Sequence, residues 1–340
     1  MSVERGSRFQ VEAAFAAQAV RAAAWLSRAV QRQMIQPAQI KADRSPVTVA
    51  DFAVQAAVAH LLETDFPTDT LVAEEDSAML RQPDQTALLE TVTGFVRQVW
   101  PEASGREICR AIDRGAGAPV GRYWTLDPID GTKGFLRGDQ YVIALALLER
   151  GEIQVAALAC PNLDADLHPH VGGEGALAVA LRGQGAWAGA LDGGPLHRLQ
   201  VSTTGEAART RILRSFEAGH TDEAQIDRLA QAMACDVPPL RMDSQAKFAV
   251  LASGNGDLIV RLLSPAQPDY AEKIWDQAAG CLLVEEAGGE VTDLAGRPLD
   301  FRAGRELRRN TGVLVSNHRL HASALEALRQ IGADRRPGAV

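Results

Sequence analysis

The stretch that decides the fold runs from Trp124 to Gly138 and reads Trp-Thr-Leu-Asp-Pro-Ile-Asp-Gly-Thr-Lys-Gly-Phe-Leu-Arg-Gly. Its first residues favour a β-strand, whereas Asp-Pro and Asp-Gly are common in turns. Pro128 fixes the backbone between Asp127 and Asp130, so one tight turn can bring both carboxylates to the same side. The sequence therefore predicts a strand that ends in a turn carrying two acidic side chains.

This acidic pair has the composition of a site for a hard cation. The Ile129 carbonyl lies between the two carboxylates, and neither a cysteine nor a pair of histidines accompanies them. Oxygen ligands alone are the set that Mg²⁺ prefers. The amides of Gly131 and Thr132 open the next turn and can bind an anion. Carboxylates beside an anion-binding turn predict a metal-bridged phosphate.

Three further acidic positions lie where we expect strands to end or helices to begin: Asp51, Glu74 and Asp276. Each also has a plainer interpretation. Asp51 can complete a capping box with Thr48, Glu74 and Glu75 can be surface charge, and Asp276 can cap a helix. Likewise, the acidic pair can consist of turn residues only. The coincidence of all these positions favours a site.

Composition narrows the class of protein. The chain has 340 residues, which suggests two domains or one large one, and its net charge of −8 disfavours nucleic acid and anionic membranes as partners. Residues 11–30 predict an amphipathic helix with Phe15 and Leu26 on its buried face, and no apolar stretch reaches the ~20 residues of a membrane span. The four cysteines are widely spaced, so we expect a cytoplasmic protein without disulfides or structural zinc.

Hydrophobic patterning and turn residues divide the chain into elements. We expect helices over 11–30, from 48 onward, within 77–120, and over 222–234, 245–252, 276–288 and 322–331. We expect strands over 70–73, 123–126, 141–148, 153–158, 257–262 and 313–316, and two around Gly183. The Gly- and Pro-rich run at 189–195 predicts a domain boundary. The expected division is 1–190, 191–332 and a frayed tail over 333–340.

Five segments together make the sequence recognisable. They resemble, in order, the motifs of the lithium-sensitive, magnesium-dependent phosphatase superfamily of inositol monophosphatase and fructose-1,6-bisphosphatase: Lys41–Asp51, Val72–Glu75, Trp124–Gly138, Trp275–Gly280 and Glu286–Asp293. The match extends over residues 41–317. Three features are similar to the 3′(2′),5′-bisphosphate nucleotidases within it: the Lys-Gly-Phe-Leu-Arg-Gly run followed by Gln140-Tyr141, Cys160–Asn162, and Asp243–Lys247.

The resemblance implies a fold and a metal centre. The fold is of the α/β (α+β) class, a layered αβαβα sugar-phosphatase fold with two sheet-containing domains and the active site between them. Glu74, Asp127 and the Ile129 carbonyl would hold a first Mg²⁺. Asp127, Asp130 and Asp276 would hold a second, and a third, weaker ion would lie near Glu74.

The resemblance also implies a reaction. The enzyme would remove the 3′-phosphate of 3′-phosphoadenosine 5′-phosphate, and of its 5′-phosphosulfate, by attack of a metal-activated water. This reaction would clear a by-product of sulfur metabolism. Asp51 and Thr132 would form a hydrogen-bonded pair that orients or deprotonates that water, with Gly131 and Thr132 binding the phosphate. The nucleotide contacts would be His220, Ser244, Lys247 and Arg261. His220 can also be a surface residue of a Gly-rich loop, and Lys247 can belong to a solvated helix face.

Three other functions stay open from the sequence. An inositol phosphate phosphatase shares the metal motifs, but inositol monophosphate has no second phosphate for Lys247 and Arg261 to hold. A sugar bisphosphatase fits the Lys-Gly-Phe-Leu-Arg stretch less well. A non-catalytic nucleotide sensor would have lost a metal ligand, yet all four acidic ligands are present. The expected partner is a small-molecule nucleotide bisphosphate, and the oligomeric state is left open.

Overall fold

Two β-sheets organise the computed structural model, which describes residues 8–34, 46–216, 223–264 and 267–336. In the first sheet, each strand lies beside the next one along the chain, from β1 to β7. β1 and β2 are parallel, and the later pairs are antiparallel. The strands are Thr70–Ala73, Arg122–Asp130, Val142–Glu149, Glu152–Cys160, Ala176–Leu181, Gly185–Ala190 and His197–Arg198.

The second sheet has the order β11-β12-β10-β8-β9. β8, β9 and β10 run parallel, and β12 is antiparallel to both of its neighbours. The strands are Ile212–Arg214, Leu240–Arg241, Leu258–Arg261, Glu290–Thr292 and Val313–Ser316.

The α-helices of the described residues are numbered α1 to α9. Their bounds are Gln10–Met34, Pro46–Asp65, Thr86–Val96, Gly105–Asp113, Thr132–Arg137, Glu223–Ala232, Ala246–Ala252, Ala278–Glu286 and His321–Gln330. Short 3₁₀ turns occupy Met79–Arg81, Pro83–Gln85 and Ala207–Arg209. None of these helices is long and apolar enough to cross a membrane. The four cysteines lie in the described ranges and form no disulfide.

Three apolar cores hold the five layers of the fold together. The first core joins α1 and α2 to one face of the first sheet, and the second joins its other face to α7, α8 and the inner face of the second sheet. The third core joins the outer face of the second sheet to α6 and α9. Strand β3 has both faces covered, which explains its nearly continuous apolar sequence. The predicted αβαβα fold is confirmed.

Two helices begin two residues away from the predicted position. Helix α2 begins at Pro46 rather than Thr48, so Asp51 lies within the helix and not at its capping box. Helix α8 begins at Ala278, and the N-cap position before it is Gln277, so Asp276 does not cap a helix. The plainer interpretations of these two acidic residues as capping groups are therefore wrong.

The two sheets part between Arg198 and Ile212. Strand β7 still pairs with β6, because Trp187 lies opposite Arg198. The first sheet thus extends beyond residue 190, and the division of the chain at that residue stays a prediction.

Candidate active site

A cavity of about 380 Å³ lies where the ends of β1 and β2 meet the segments that precede α7 and α8. One wall is acidic and comprises Glu74, Asp127, Asp130 and Asp276. The Ile129 backbone and the turn at Gly131 and Thr132 adjoin it. The rest of the lining, called the basic wall below, comes from the second half of the chain and includes Ser215, Ser244, Lys247, Arg261 and Tyr270. The fold therefore brings most of the predicted site residues together.

Parallel pairing places Glu74 beside Asp127. Ala73 at the end of β1 lies opposite Leu126 of β2, so the next residue of each strand emerges at the same edge of the sheet. The two carboxyl groups are close enough for each to shift the pKa of the other. The sequence indicated that Glu74 lies at a strand end, and the parallel pairing of β1 with β2 explains why this end is beside Asp127.

A β-bulge brings Asp127 and Asp130 to the same cavity. Asp127 lies opposite Ala144 and Asp130 opposite Val142, so three steps along β2 match two along β3. Residues three apart in a regular strand face opposite sides, and one extra residue restores the same side. The predicted turn is therefore a bulged strand end that includes Pro128, and the prediction that both carboxylates share one side is met.

Helix α2 holds the segment that carries Glu74 and Glu75. The Gln55 amide donates to the Glu75 carbonyl at 2.7 Å and to the Ile112 carbonyl at 2.9 Å. Its oxygen accepts from the Glu75 amide at 3.0 Å. Asp51 lies one turn earlier on the same helix and is buried. Burial, followed by repulsion from Glu75 and Glu74, raises the pKa of Asp51 well above its usual range.

The carboxylates of the acidic wall repel one another. Burial, then Glu74 and Asp130, raise the pKa of Asp127 well above its usual range, and burial with Asp130 does the same for Asp276. Glu74 is solvent-accessible, yet its pKa is raised to about 7. The main cause is partial desolvation by the surrounding protein, and the second is repulsion from Glu75. Among the described residues, Asp127 Oδ1 is one of the few buried side-chain oxygens without a hydrogen-bond partner. Such a set has the donor chemistry of a hard-cation site.

Gln245 connects the two halves of the acidic wall. Its backbone amide donates to Asp130 Oδ2 at 2.5 Å, and its side chain donates to the Trp275 carbonyl at 3.0 Å. The side-chain oxygen accepts from the amide of Gly280 in α8 at 3.0 Å. Gln245 therefore fixes Asp130 relative to Asp276. The motif Asp243–Lys247 contained this residue, but sequence reasoning gave it no role.

Arg305 makes a second connection that the sequence did not reveal. Its guanidinium donates to the carbonyls of Ala73 and Gly115 and lies 4.9 Å from the ring centre of Trp275. Ala73 precedes Glu74, and Trp275 precedes Asp276. Arg305 thus joins the backbone positions that carry two of the acidic side chains.

The turn at Gly131 needs a glycine. Its φ is +92°, and a Cβ atom there would lie 2.9 Å from the Ser244 Cβ. Thr132 begins α5 and is exposed on the cavity. Within the described residues, no hydrogen bond joins Thr132 to Asp51, so their predicted pairing stays a prediction. The same holds for phosphate binding by the amides of Gly131 and Thr132.

Lys247 of the basic wall is buried rather than solvated. Lys247 is only 3% exposed, and its Nζ donates to Ser215 Oγ at 3.2 Å and to the Met242 carbonyl at 3.3 Å. The interpretation of Lys247 as part of a solvated helix face is therefore wrong. Burial, and then Arg261, lower its pKa to about 8, so the amine is mostly charged at pH 7. Arg261 Nε donates to Glu272 Oε1 at 3.0 Å.

Several cavity residues escaped the sequence reasoning. Ser215 directly follows strand β8, so a search of strand ends would have found it. Tyr270 lies in an irregular segment with no such signal. Ser244, which was predicted, has a φ of +62°, and its Oγ donates to the Asp243 carbonyl at 2.6 Å. His220 lies outside the described residues.

Comparison with known proteins identifies the family. A sequence model of the inositol monophosphatase family matches residues 7–333. A protein of Oryza sativa named 3′(2′),5′-bisphosphate nucleotidase is 41% identical, with 96% of each chain covered. A Schizosaccharomyces pombe protein of the same name is 40% identical over 94% of this chain and 95% of that one. An inositol monophosphatase structure from Anabaena superposes with a TM-score of 0.63 at 22% identity, covering 95% of this chain and 97% of the other. The chain belongs to the inositol monophosphatase family.

Proposed function

We propose that this protein is a Mg²⁺-dependent, Li⁺-sensitive phosphatase that removes the 3′-phosphate of 3′-phosphoadenosine 5′-phosphate to give AMP and phosphate. Its 5′-phosphosulfate analogue is a second proposed substrate. The observation that carries the proposal is a single cavity lined both by a cluster of carboxylates and by the cations Lys247 and Arg261. A nucleoside bisphosphate has one phosphate for each wall. The nucleotidase names of relatives that are 40–41% identical along nearly the whole chain support the same substrate class.

The acidic wall fits the metal that this proposal requires. Asp127 Oδ1 is buried and lacks a partner within the described structure, and the donor set consists of oxygens. Glu74, Asp127 and the Ile129 carbonyl would hold one Mg²⁺, and Asp127, Asp130 and Asp276 a second, with a third near Glu74. Bound there, Mg²⁺ would withdraw charge from the phosphoryl oxygens and lower the pKa of water.

Asp51 and Thr132 are proposed to prepare the attacking water. Burial, and then repulsion from Glu75 and Glu74, raise the pKa of Asp51, which makes its carboxylate a stronger base. Thr132 presents its hydroxyl to the cavity. In this role the hydroxyl gives its proton to the Asp51 carboxylate and takes up the proton that the attacking water loses, while the departing 3′-oxygen gains a proton from solvent.

Removing the hydroxyl of Thr132 tests this step. Thr132→Ala is expected to lower kcat about a hundredfold or more, since a positioned proton-transfer group contributes about that much, with little change in KM. Thr132→Ser keeps the hydroxyl and is expected to retain most of kcat. Steady-state kinetics of the two variants make the comparison. Equal loss in both would show that the methyl group, and not the hydroxyl, matters there.

The other half of the chain is proposed to select the substrate. Lys247 and Arg261 would bind the 5′-phosphate with charge-assisted hydrogen bonds, Ser244 and His220 would complete the nucleotide contacts, and Gly131 with Thr132 would bind the 3′-phosphate. In this division of labour, residues 1–190 supply most metal ligands, and residues 191–332 supply Asp276 and the nucleotide contacts.

Product analysis tests the proposal. The protein is incubated with 3′-phosphoadenosine 5′-phosphate and Mg²⁺, and the nucleotides are separated chromatographically. The expected products are 5′-AMP and phosphate, and a chelator or Li⁺ should suppress both. Release of 3′-AMP would reverse the roles of the two walls. Nucleotide binding without turnover in the presence of Mg²⁺ would instead favour a sensor.

A further inference from the structure

The loop between β4 and β5 carries a second cluster of metal-ligating groups. His168 Nδ1 lies 2.9 Å from Asp164 Oδ2, and His170 Nε2 lies 3.2 Å from the same oxygen. Within the described ranges, these residues are the one group of three or more His, Cys, Asp or Glu whose ligand atoms all lie within 4.8 Å of one another. None of the three lines the catalytic cavity. The more widely spaced acidic wall does not meet this distance, as expected for carboxylates that repel one another.

We propose that Asp164, His168 and His170 form a binding site for a divalent transition-metal ion of the zinc class, separate from the catalytic centre. Two imidazoles and one carboxylate suit Zn²⁺, Co²⁺ or Ni²⁺ and do not suit Mg²⁺. The site is thus chemically distinct from the all-oxygen acidic wall.

The spacing of the three atoms fits such an ion. Tetrahedral zinc with bonds of about 2.0 Å to nitrogen and oxygen has ligand atoms about 3.3 Å apart. The observed separations of 2.9 and 3.2 Å from Asp164 Oδ2 are close to that edge length. The two imidazole nitrogens lie within 4.8 Å of each other, so an ion can replace the two hydrogen bonds by three coordinate bonds once each ring carries its hydrogen on the other nitrogen.

Three hydrogen bonds to the backbone of the loop hold it in this shape. Asp164 Oδ1 accepts from the His168 amide at 3.0 Å, which leaves Oδ2 for the two imidazoles. The His170 amide donates to the His168 carbonyl at 2.8 Å across Pro169. The side chain of Asn255, just after α7, donates to the Leu167 carbonyl at 3.1 Å. This pre-organisation lowers the entropic cost of gathering the ligands.

Solvent reaches the cluster directly. The side chains of His168 and His170 are 50% and 55% exposed, and that of Asp164 is 30% exposed. Partial burial raises the pKa of Asp164, but the hydrogen bonds from His168 lower it by a larger amount. The net shift is downward, so the carboxylate is ionised at neutral pH. The remaining coordination positions of a bound ion would face water.

Calorimetric titration of the full chain with ZnCl₂ tests this proposal. Excess Mg²⁺ is present throughout to occupy the acidic wall. One Zn²⁺ equivalent is expected for the unchanged protein. The double variant H168A/H170A should lower the affinity for that Zn²⁺ by more than about a hundredfold, since even the loss of an outer-shell partner lowers metal affinity 10- to 100-fold. Both histidines are exposed, and circular dichroism checks that the variant is folded.

A matched control removes a different exposed histidine beside a carboxylate. His318 Nδ1 lies 2.7 Å from Glu290 Oε2, and H318A is expected to leave the Zn²⁺ equivalent unchanged. With Co²⁺ in place of Zn²⁺, the bound ion should give visible absorption bands that H168A/H170A abolishes. Zn²⁺ binding that is equal in the unchanged protein and the double variant, or absent from both, would overturn the proposal. Neither result bears on the phosphatase reaction.

Discussion

Replacing Asp127 by Asn is expected to lower kcat/KM for 3′-phosphoadenosine 5′-phosphate by about a thousandfold or more, which corresponds to about 4 kcal/mol of transition-state stabilisation. Asp127 is the residue proposed to contribute to both Mg²⁺ sites. The amide keeps the shape of the side chain but removes the charge. Phosphate release at saturating Mg²⁺ measures the effect.

The same variant should stay folded, because Asp127 is buried among acidic neighbours and one of its oxygens lacks a partner in the described structure. Removing that charge relieves repulsion, so the Tm in chelator is expected to be equal or higher. Mg²⁺ should raise the Tm of the unchanged protein and have much less effect on the variant. Asp192→Asn is the control, since the Asp192 side chain is 85% exposed. A variant that loses activity because it unfolds would favour a purely structural role for Asp127.

Replacing Lys247 by Met is expected to raise KM for 3′-phosphoadenosine 5′-phosphate by about 10- to 100-fold, the range set by one charge-assisted hydrogen bond of about 1.5–3 kcal/mol. Turnover of inositol 1-phosphate should change little, because this substrate has no second phosphate for the basic wall. Met preserves the apolar stem of a side chain that is 3% exposed. Steady-state kinetics with both substrates on the same preparation give the ratio.

The pH dependence of that ratio provides a second readout. Burial and Arg261 lower the pKa of Lys247 to about 8, so its positive charge is present below that pH and is lost above it. The ratio of the KM for the bisphosphate to the KM for inositol 1-phosphate should therefore rise above about pH 8 in the unchanged protein and stay level in Lys247→Met. Arg209→Met, at an exposed surface cation, is the control. An equal loss with both substrates would contradict a role in selectivity.

Local signals predicted much of the fold. Strands β1 and β12 have the predicted bounds, because apolar runs bounded by polar or turn residues are unambiguous over four residues. The start of α2 and the bulge at Pro128 were missed. Both depend on packing and on the partner strand: the register of β3 against Asp127 and Asp130 makes the bulge, and β2 alone does not show it.

The candidate site divides in the same way. The acidic residues could be found because each motif is contiguous in sequence. Gln245 and Arg305 could not, because their contacts join residues 115 and 232 positions apart in the chain. The burial of Lys247 likewise depends on Ser215, which is 32 residues away. Such contacts exist only once the chain has folded around the cavity.

The central claim is that the acidic wall of the cavity binds the phosphate that reacts, and that the basic wall binds the second phosphate of the same nucleotide. The most direct test compares kcat/KM for 3′-phosphoadenosine 5′-phosphate and inositol 1-phosphate on one preparation at saturating Mg²⁺. The account predicts a preference for the nucleotide of at least about a hundredfold, since Lys247 and Arg261 each add about 1.5–3 kcal/mol with a second phosphate. Equal values, or a preference for the inositol ester, would contradict the roles given to Lys247 and Arg261.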